Sequence, residues 1–546
     1  MFKTLCPCHG GVSSDRGLNI FFNAGLRVSF LAAPGGRNLR AMFAIGQSCW
    51  TRAAFDSGQE KAYSLLQDTI PGQGSEGDDR VECKLKPRNI IIGSFPERSS
   101  INAALIIGEL LKEHGHSVTI VSTADNEFKE HIEKQGFAYT AIGPKNIPVL
   151  MDKRRRTRNI ITAWKVAKEL ESELQSSLNE FADDNKGRLD LAFLSVNATC
   201  PASVIFSYLK VPTIVFMSNY GSRFSLRYPP FSVSRPTVKD GDALSWWRAF
   251  VHLVAWSLQR VQHQVVEPGF LSPSRLPAAL TVRLLSPVPR QRRQSERNGW
   301  KFCYGEWGVR PILPEIVIGH RALDWEPLRQ FNGRLYLASL AQRLEFNTEW
   351  SHGLETDRPL LYLNMSTVFR GRVLAPSGAL FRWARVYKRY LDVVIAAVGT
   401  RPDWQLVAAC GPFAQAFDTR NLPENVQVFD RVPQIGVLEK AALAITPAGA
   451  GTVRECASLG VPMLAFPMWY DQYGNAARIQ HARMGLNGGD FRKLDEGKLL
   501  GLIDRVLHDD EIKSAVLAFR ESQVVDRETE WQEFREFVEE HTGLCL

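Results

Sequence analysis

The chain has 546 residues, 45% of them apolar and 23% charged, an ordinary globular composition. Its length exceeds the ~250–300 residues at which one hydrophobic core stops growing, so more than one domain is expected. The net charge of +8 is concentrated in residues 1–54 (+5) and 268–301 (+6), so the rest of the chain is slightly acidic, and no basic face interleaved with aromatics marks a nucleic-acid binder. Nine scattered cysteines do not form a disulfide framework, and no run of ~18 or more apolar residues marks a membrane span.

Residues 1–86 form a poorly patterned basic leader that contains Cys6-Pro7-Cys8-His9 and Gly35-Gly36. Its composition suits a disordered segment, and suits equally a misplaced start. It is rich enough in Arg and Ser to resemble a transit peptide but carries no clean amphipathic helix. Cys6, Cys8 and His9 lack a second ligand pair, so no metal site is expected. Asn89 to Gly93 then reads as an apolar strand. Ile101, Ala104, Leu105, Gly108 and Leu111 fall at helical spacing, and Ser117 to Val121 is the next strand, which together make a βαβ unit. His114 and His116 are expected at the helix end, satisfying carbonyls.

The basic run Lys153 to Arg158 reads as a solvated helix start, and Leu191 to Val196 as a further strand. Tyr220, Phe224, Tyr228, Trp246 and Trp247 make this half aromatic-rich, fitting either a hydrophobic pocket or plain core. Trp246 to Val266 is the most apolar helix candidate, but Arg248, His252, Gln259, Arg260 and His263 interrupt it; it reads as a pocket wall, with a membrane-surface role as the alternative. Residues 268–301, rich in Pro, Arg and Ser, form an irregular insert.

In the second half, Ala441 to Ile445 is a short apolar strand and Val453 onward a helix, so Thr446 to Thr452 is expected to form the tight turn between them. Small residues opening a helix let an anion approach unpaired backbone N–H groups and the positive end of the helix dipole. Glu455, expected on the first turn, would accept hydrogen bonds from a ribose. Cys456 beside it reads as a packing residue.

Val432-Pro433-Gln434, this turn, Glu455, Gly460-Val461-Pro462 and Asp471-Gln472 stand in the order and nearly the spacing of a known donor-binding signature. The chain resembles the UDP-dependent glycosyltransferases of family 1, the two-Rossmann-domain GT-B type, over most of residues 87 to 540. The resemblance includes Arg358 to Leu363 as the strand opening the donor domain and Asn475-Ala476-Ala477-Arg478 as the helix after the Asp-Gln pair. It implies that Arg431 and Gln434 border the base, Gly449, Gly451 and Thr452 the diphosphate, Glu455 the ribose, and Asp471 and Gln472 the donor sugar.

The chain also departs from the family pattern. Arg431 stands where many relatives carry a Trp, although a guanidinium plane also stacks on a ring. The turn usually reads His-Gly-Gly-x-Asn-Ser/Thr, and here it is Pro447, Ala448, Gly449, Ala450, Gly451 and Thr452. Two side-chain phosphate contacts are therefore missing, each worth roughly 1.5–3 kcal/mol. The general-base His position falls on Ser100, with Ser99 and Ala103 replacing the flanking Gly and Pro. The strand end that usually supplies its Asp partner offers Ser195, Val196 and Asn197. Glu97 is the nearest carboxylate able to substitute, and an acidic acceptor such as a phenol would need little help.

The expected fold class is therefore α/β of the GT-B type. It places an acceptor-side Rossmann-like domain at 87–341, a linker near 345–357 within the start of a UDP-sugar donor domain at 342–522, and a helix at 523–546. That helix, with Trp531, Phe534, Phe537 and Val538 at helical spacing, packs back on the first domain. The expected function is transfer of a hexose from a UDP-sugar to a small hydrophobic acceptor such as a sterol, polyketide or terpenoid, with inversion. The alternative is a catalytically silent glycosyltransferase-like binding or helper protein. The UDP-sugar is a co-substrate, no cofactor or metal is expected, and no nucleic-acid partner. A cytoplasmic location with peripheral membrane contact completes the expectations.

Overall fold

The computed structural model describes residues 86–94, 98–122, 126–142, 179–196, 209–220, 296–305, 308–324, 333–337, 357–365, 378–468, 471–522 and 526–546, two strands near the amino terminus, and isolated residues between 169 and 252. The chain divides into two units, Met1–Glu82 and Cys83–Leu546. In the first, β1 (Gly17–Phe21) pairs antiparallel with β2 (Arg27–Leu31), a pairing that the sequence pattern did not announce. The remainder of the fold description concerns the second unit.

Its first sheet has seven parallel strands: β3 (Asn89–Gly93), β4 (Ser117–Ser122), β5 (Ala138–Ala141), β6 (Leu191–Ser195), β7 (Thr213–Met217), β10 (Glu315–Ile318) and β11 (Arg334–Leu337), in the order β11-β10-β7-β6-β3-β4-β5. A separate antiparallel pair, β8 (Phe302–Gly305) with β9 (Gly308–Pro311), lies between β7 and β10 in the chain. Continuous apolar runs such as Ile90-Ile91-Ile92 arise because both faces of a parallel sheet are covered. Helix α1 (Arg98–Glu113) covers one face with Ile101, Ala104, Leu105 and Leu111, and α2 (Asn126–Lys134) follows β4.

The second sheet is also parallel: β12 (Leu360–Asn364), β13 (Gln405–Ala409), β14 (Val426–Phe429), β15 (Ala441–Thr446), β16 (Met463–Ala465) and β17 (Gly485–Asn487), in the order β14-β13-β12-β15-β16-β17. Its helices are α3 (Gly378–Gly399), α4 (Gln434–Leu438), α5 (Ala450–Leu459), α6 (Gln472–His481), α7 (Glu496–His508) and α8 (Asp510–Ser522). In both sheets the chain runs outward from a central strand, returns, and continues on the other side. The reversal opens a crevice at the carboxyl ends of the two central strands, where open α/β sheets bind ligands. In the second sheet these strands are β12 and β15, ending at Asn364 and Thr446.

Helix α9 (Arg527–Thr542) packs on the first sheet. Trp531, Phe534, Phe537 and Val538 share its core with Ile90, Ile92 and Phe193. Phe534 stacks on Phe193 with centroids 5.8 Å apart, and Trp531 stacks on His114 at 3.7 Å. His114 Nδ1 meets the Leu110 carbonyl at 2.8 Å. His116 differs from expectation: its Nδ1 accepts the Arg88 N–H at 3.3 Å instead of meeting a carbonyl. Arg88 immediately precedes β3, whose pairing with β4 just after His116 brings that amide to the ring nitrogen.

The two halves also share a core, in which Val215, Met217, Tyr220 and Val317 pack with residues such as Leu360, Val437, Val453 and Ile479. Two arginines cross the boundary. Arg454 on α5 donates to the carbonyls of Ser218 (2.9 Å) and Ile318 (2.6 Å) at the ends of β7 and β10. Arg478 on α6 donates to the Tyr220 carbonyl (3.1 Å) and to Asp324 Oδ1 (3.3 Å). Asp324 Oδ2 in turn accepts from Arg334 at 3.2 Å and from the Tyr336 hydroxyl at 2.9 Å. No helix among the described residues is long and apolar enough to cross a membrane.

Phe534 is fully buried between α9 and the first sheet. Phe534→Ala is expected to lower unfolding free energy by about 3–5 kcal/mol, read as a reduced urea midpoint with circular dichroism.

Candidate functional site

The site begins where β15 ends. Ala448 has φ of +66°, a left-handed conformation that costs an L-residue about 1–2 kcal/mol. Both of its backbone polar groups are held: its N–H donates to Thr446 Oγ at 3.1 Å, and its carbonyl accepts from Asn475 Nδ2 at 3.0 Å. This turn redirects the chain so that α5 opens at Ala450, with Gly449 as an N-cap that offers no side chain. The helix therefore starts earlier than the expected Val453, and Glu455 falls on its second turn, not its first. Ala450, Gly451 and Thr452 carry no apolar periodicity and no Ser, Asp or Asn cap precedes them, so no helix-start signal is legible there.

Within α5 the first closing bond is Val453 N–H to the Gly449 carbonyl, at 3.0 Å. The N–H groups of Ala450, Gly451 and Thr452 precede the helical ladder, as in any helix. Among the described residues, a Cβ placed on either Gly449 or Gly451 would meet nothing within 4 Å, so the backbone at these two positions is open to approach. Backbone donors and the dipole together favour an anion there. At the other end Gly460, with φ of +74°, closes α5, its own N–H donating to the Ala457 carbonyl.

Glu455 is tied to α4 and β12 through Gln434. The Gln434 amide nitrogen donates to Glu455 Oε2 and to Thr452 Oγ at 3.3 Å. Its Oε1 accepts from the Tyr362 hydroxyl at 3.0 Å and from Asn364 Nδ2 at 3.3 Å, and Asn364 Nδ2 also donates to Thr452 Oγ at 2.8 Å. Burial pushes the Glu455 carboxyl up, with the Gln434 hydrogen bond and then the Arg454 charge opposing it. Burial also pushes the Tyr362 phenol well up, so it stays protonated and donates.

On the far side of the turn, Asp471 N-caps α6. Asn475 Nδ2 donates to Asp471 Oδ2 at 3.0 Å while also holding the Ala448 carbonyl. Burial pushes the Asp471 carboxyl up to about 6 against the opposing Asn475 hydrogen bond. Gln472 is buried and its Oε1 accepts the Met468 N–H at 2.9 Å. Of the residues assigned to the donor by sequence, Gln434, Gly449, Gly451, Thr452, Glu455, Asp471 and Gln472 thus gather around the amino end of α5. Arg431 stands exposed in the loop before α4. Trp469 and Tyr470 lie outside the described residues.

The acceptor side is less completely described. Ser100 lies on the first turn of α1, buried, and its hydroxyl meets no partner among the described residues. Ser195 and Val196 end β6 and are buried. Glu97, Asn197, Phe224, Tyr228, Trp246 and Trp247 lie outside the described residues, as do the leader cysteines, the linker near 345–356 and most of the 268–301 insert. Tyr220 belongs to the core shared by the two halves, its hydroxyl accepting the His320 N–H at 3.0 Å. It is a packing residue, not a free pocket wall. Cys456 is buried, as expected.

Sequence reasoning missed Tyr362, Asn364 and Asn475 as members of this site. Asn364 and Tyr362 sit at the end of the strand that opens the second sheet, and the strand-end rule for ligand sites could have singled them out.

Residues 395–530 match a family described as erythromycin biosynthesis protein CIII-like, C-terminal domain. The oleandomycin glycosyltransferase of Streptomyces antibioticus is 41% identical over 86 residues, covering 16% of this chain and only 20% of that relative's length. The NDP-glycosyltransferase YjiC of Bacillus subtilis is 23% identical over 412 residues, 74% of this chain and 85% of the relative. The crystal structure of the kitacinnamycin glycosyltransferase superposes with a TM-score of 0.54 at 17% identity, covering 83% of this chain and 100% of that one. The calicheamicin glycosyltransferase superposes with a TM-score of 0.54 at 14% identity, covering 84% and 99%. Two parallel sheets, each with a crevice at its central reversal, and the likeness to these solved structures give the chain a GT-B fold, and the matched carboxyl-half family and the relatives support a family 1 glycosyltransferase.

Proposed function

We propose that the protein transfers a hexose from a UDP-sugar to a small hydrophobic secondary metabolite, with inversion at the anomeric carbon. One observation carries the reading: the uncapped amino end of α5 is open to approach between two carboxylates, Glu455 and Asp471. The diphosphate takes the helix end and the Thr452 hydroxyl, Glu455 accepts ribose hydroxyls, and Asp471 with Gln472 accepts and donates to the hexose. Arg431, exposed before α4, stacks on the base. Names of relatives, including the demethyllactenocin mycarosyltransferase of Streptomyces fradiae, 30% identical over 183 residues, support an acceptor of natural-product type.

Inverting displacement needs an acceptor oxygen made nucleophilic, and a general base is typically worth ~10²–10⁴-fold. Ser100 cannot provide it. Its hydroxyl is buried, and a serine hydroxyl is not a proton acceptor strong enough to serve as a general base. Glu97, three residues before Ser100 in the chain, is the proposed base, and an acidic acceptor such as a phenol lessens the demand on it. The second reading, a catalytically silent binding protein, is favoured by one observation, the buried Ser100 at the position where the family carries its base.

The two readings separate when purified protein is incubated with UDP-glucose and phenolic, sterol and polyketide acceptors, with glycoside and released UDP followed by mass spectrometry. The expected result is acceptor-dependent glycoside formation, lowered ~10²-fold or more by Glu97→Gln and unchanged by Ser100→Ala. UDP binding without turnover on any acceptor would favour the silent reading.

Asp471 gives a pH prediction. Its carboxyl titrates at about 6, and only the ionised form accepts fully from hexose hydroxyls, so its contact with the sugar is complete above that pH and fades below it. UDP has no hexose. The affinity ratio of UDP-glucose to UDP is therefore expected to fall as pH drops through about 6, and to be flat in Asp471→Asn, measured by calorimetry. A ratio that is flat in the wild type would contradict the assignment.

A further inference from the structure

We infer that Gln434 is a positioning residue that acts through Glu455 and Thr452 and does not read the base. This rests on the donor-site reading above and concerns how the nucleoside diphosphate is gripped.

An ionised carboxylate only accepts hydrogen bonds. Glu455 Oε2 meets the Gln434 amide, so the Gln434 NH2 group must face it and Oε1 must face away, which fixes an orientation that an amide otherwise leaves ambiguous. Oε1 then accepts from the Tyr362 hydroxyl at 3.0 Å and from Asn364 Nδ2 at 3.3 Å, which fixes Asn364 in turn. The second Gln434 N–H goes to Thr452 Oγ at 3.3 Å. Both N–H groups and both lone pairs of the Gln434 amide are thereby used inside the protein, and none is left for a nucleobase edge.

The consequence falls on the two neighbours. A hydroxyl has two acceptor positions and one proton. Thr452 Oγ accepts from Asn364 at 2.8 Å and from Gln434, so both acceptor positions are filled. Its proton has no acceptor among the described residues, and Thr452 lies in the opening turn of α5, beside the free backbone N–H groups. The network therefore makes Thr452 a donor to an anion at the helix end. Glu455 has one oxygen clamped by Gln434 and the other left for a ribose hydroxyl. Asn364 supports the same reading, since its buried Oδ1 has no partner and its Nδ2 serves only this network. The sequence that supplies Gln434 thus supplies the polarity of the diphosphate and ribose contacts.

The test uses the full chain and UDP, CDP and ADP as probes, titrated by calorimetry across pH. Gln434→Leu is expected to weaken all three by a similar factor, about tenfold to hundredfold. Its loss of a donor to the charged form raises the Glu455 pKa further, so binding should fade at a higher pH than in the wild type. Gln434→Glu sets two carboxylates together. It should bind poorly at about pH 8 and recover towards about pH 5.5, where one shared proton restores a donor to Glu455, a slope opposite to that of the wild type. UDP carries no hexose, so Asp471 does not enter these curves. A Gln434→Leu protein that loses UDP alone, keeps ADP and keeps the wild-type pH midpoint would overturn the inference in favour of base reading. If Gln434→Leu melts before titration, the slope of Gln434→Glu decides, and a slope parallel to the wild type overturns it. Wild-type protein that binds none of the three would instead overturn the donor-site reading beneath it.

Discussion

Everything specific in this molecule follows from a helix that starts without a cap. In most helices a Ser, Thr, Asp or Asn side chain takes one of the leading N–H groups. Here the N-cap is Gly449, which has no side chain to take any of them, and Ala448 holds a left-handed conformation just before it. Strain of this kind persists only where the surroundings over-determine it. Thr446 and Asn475 do so by holding the Ala448 N–H and carbonyl. A cluster of polar groups that would be unfavourable in a folded core becomes useful once an anion completes it. The two family side chains missing from the turn make the protein more reliant on this backbone arrangement, and on the Thr452 hydroxyl.

The same helix also joins the halves. Arg454 precedes Glu455 in the chain and points the other way, its guanidinium taking carbonyls at the ends of β7 and β10. Arg478 does the same from α6, about two turns beyond the Asp471-Gln472 pair, and meets Asp324 within a network that includes Arg334 and Tyr336. Removing one partner from such a buried set leaves a charge uncompensated, which is far costlier than removing the set. The donor residues and the residues that fix the distance between the sheets therefore share two helices, and the crevice geometry is set by the elements that line it.

Much of this was legible in the sequence. Parallel strands buried on both faces announce themselves as apolar runs, and the order of Gln434, Glu455 and Asp471-Gln472 along the chain carries the resemblance to the carboxyl half of GT-B glycosyltransferases. What the chain order cannot convey is direction. Gln434 reads as a base contact until β12, some seventy residues upstream, supplies Tyr362 and Asn364 to take its carbonyl. Nothing in the chain order shows that Arg454 and Arg478 reach carbonyls at or beyond the ends of β7 and β10, because those partners lie more than a hundred residues upstream. The start of α5 was misplaced because small residues carry no period. The β1/β2 pair escaped for a similar reason, its short segments lying in a stretch without sustained alternation.

The central claim is that the amides of Ala450, Gly451 and Thr452 bind the diphosphate, and residue-resolved hydrogen exchange reads those amides directly. With saturating UDP they are expected to exchange markedly more slowly than in the free protein, while amides in the middle of α5, already bonded in the helix, change little. Saturable UDP binding that leaves these three amides exchanging at their free rate would place the nucleotide elsewhere and contradict the account.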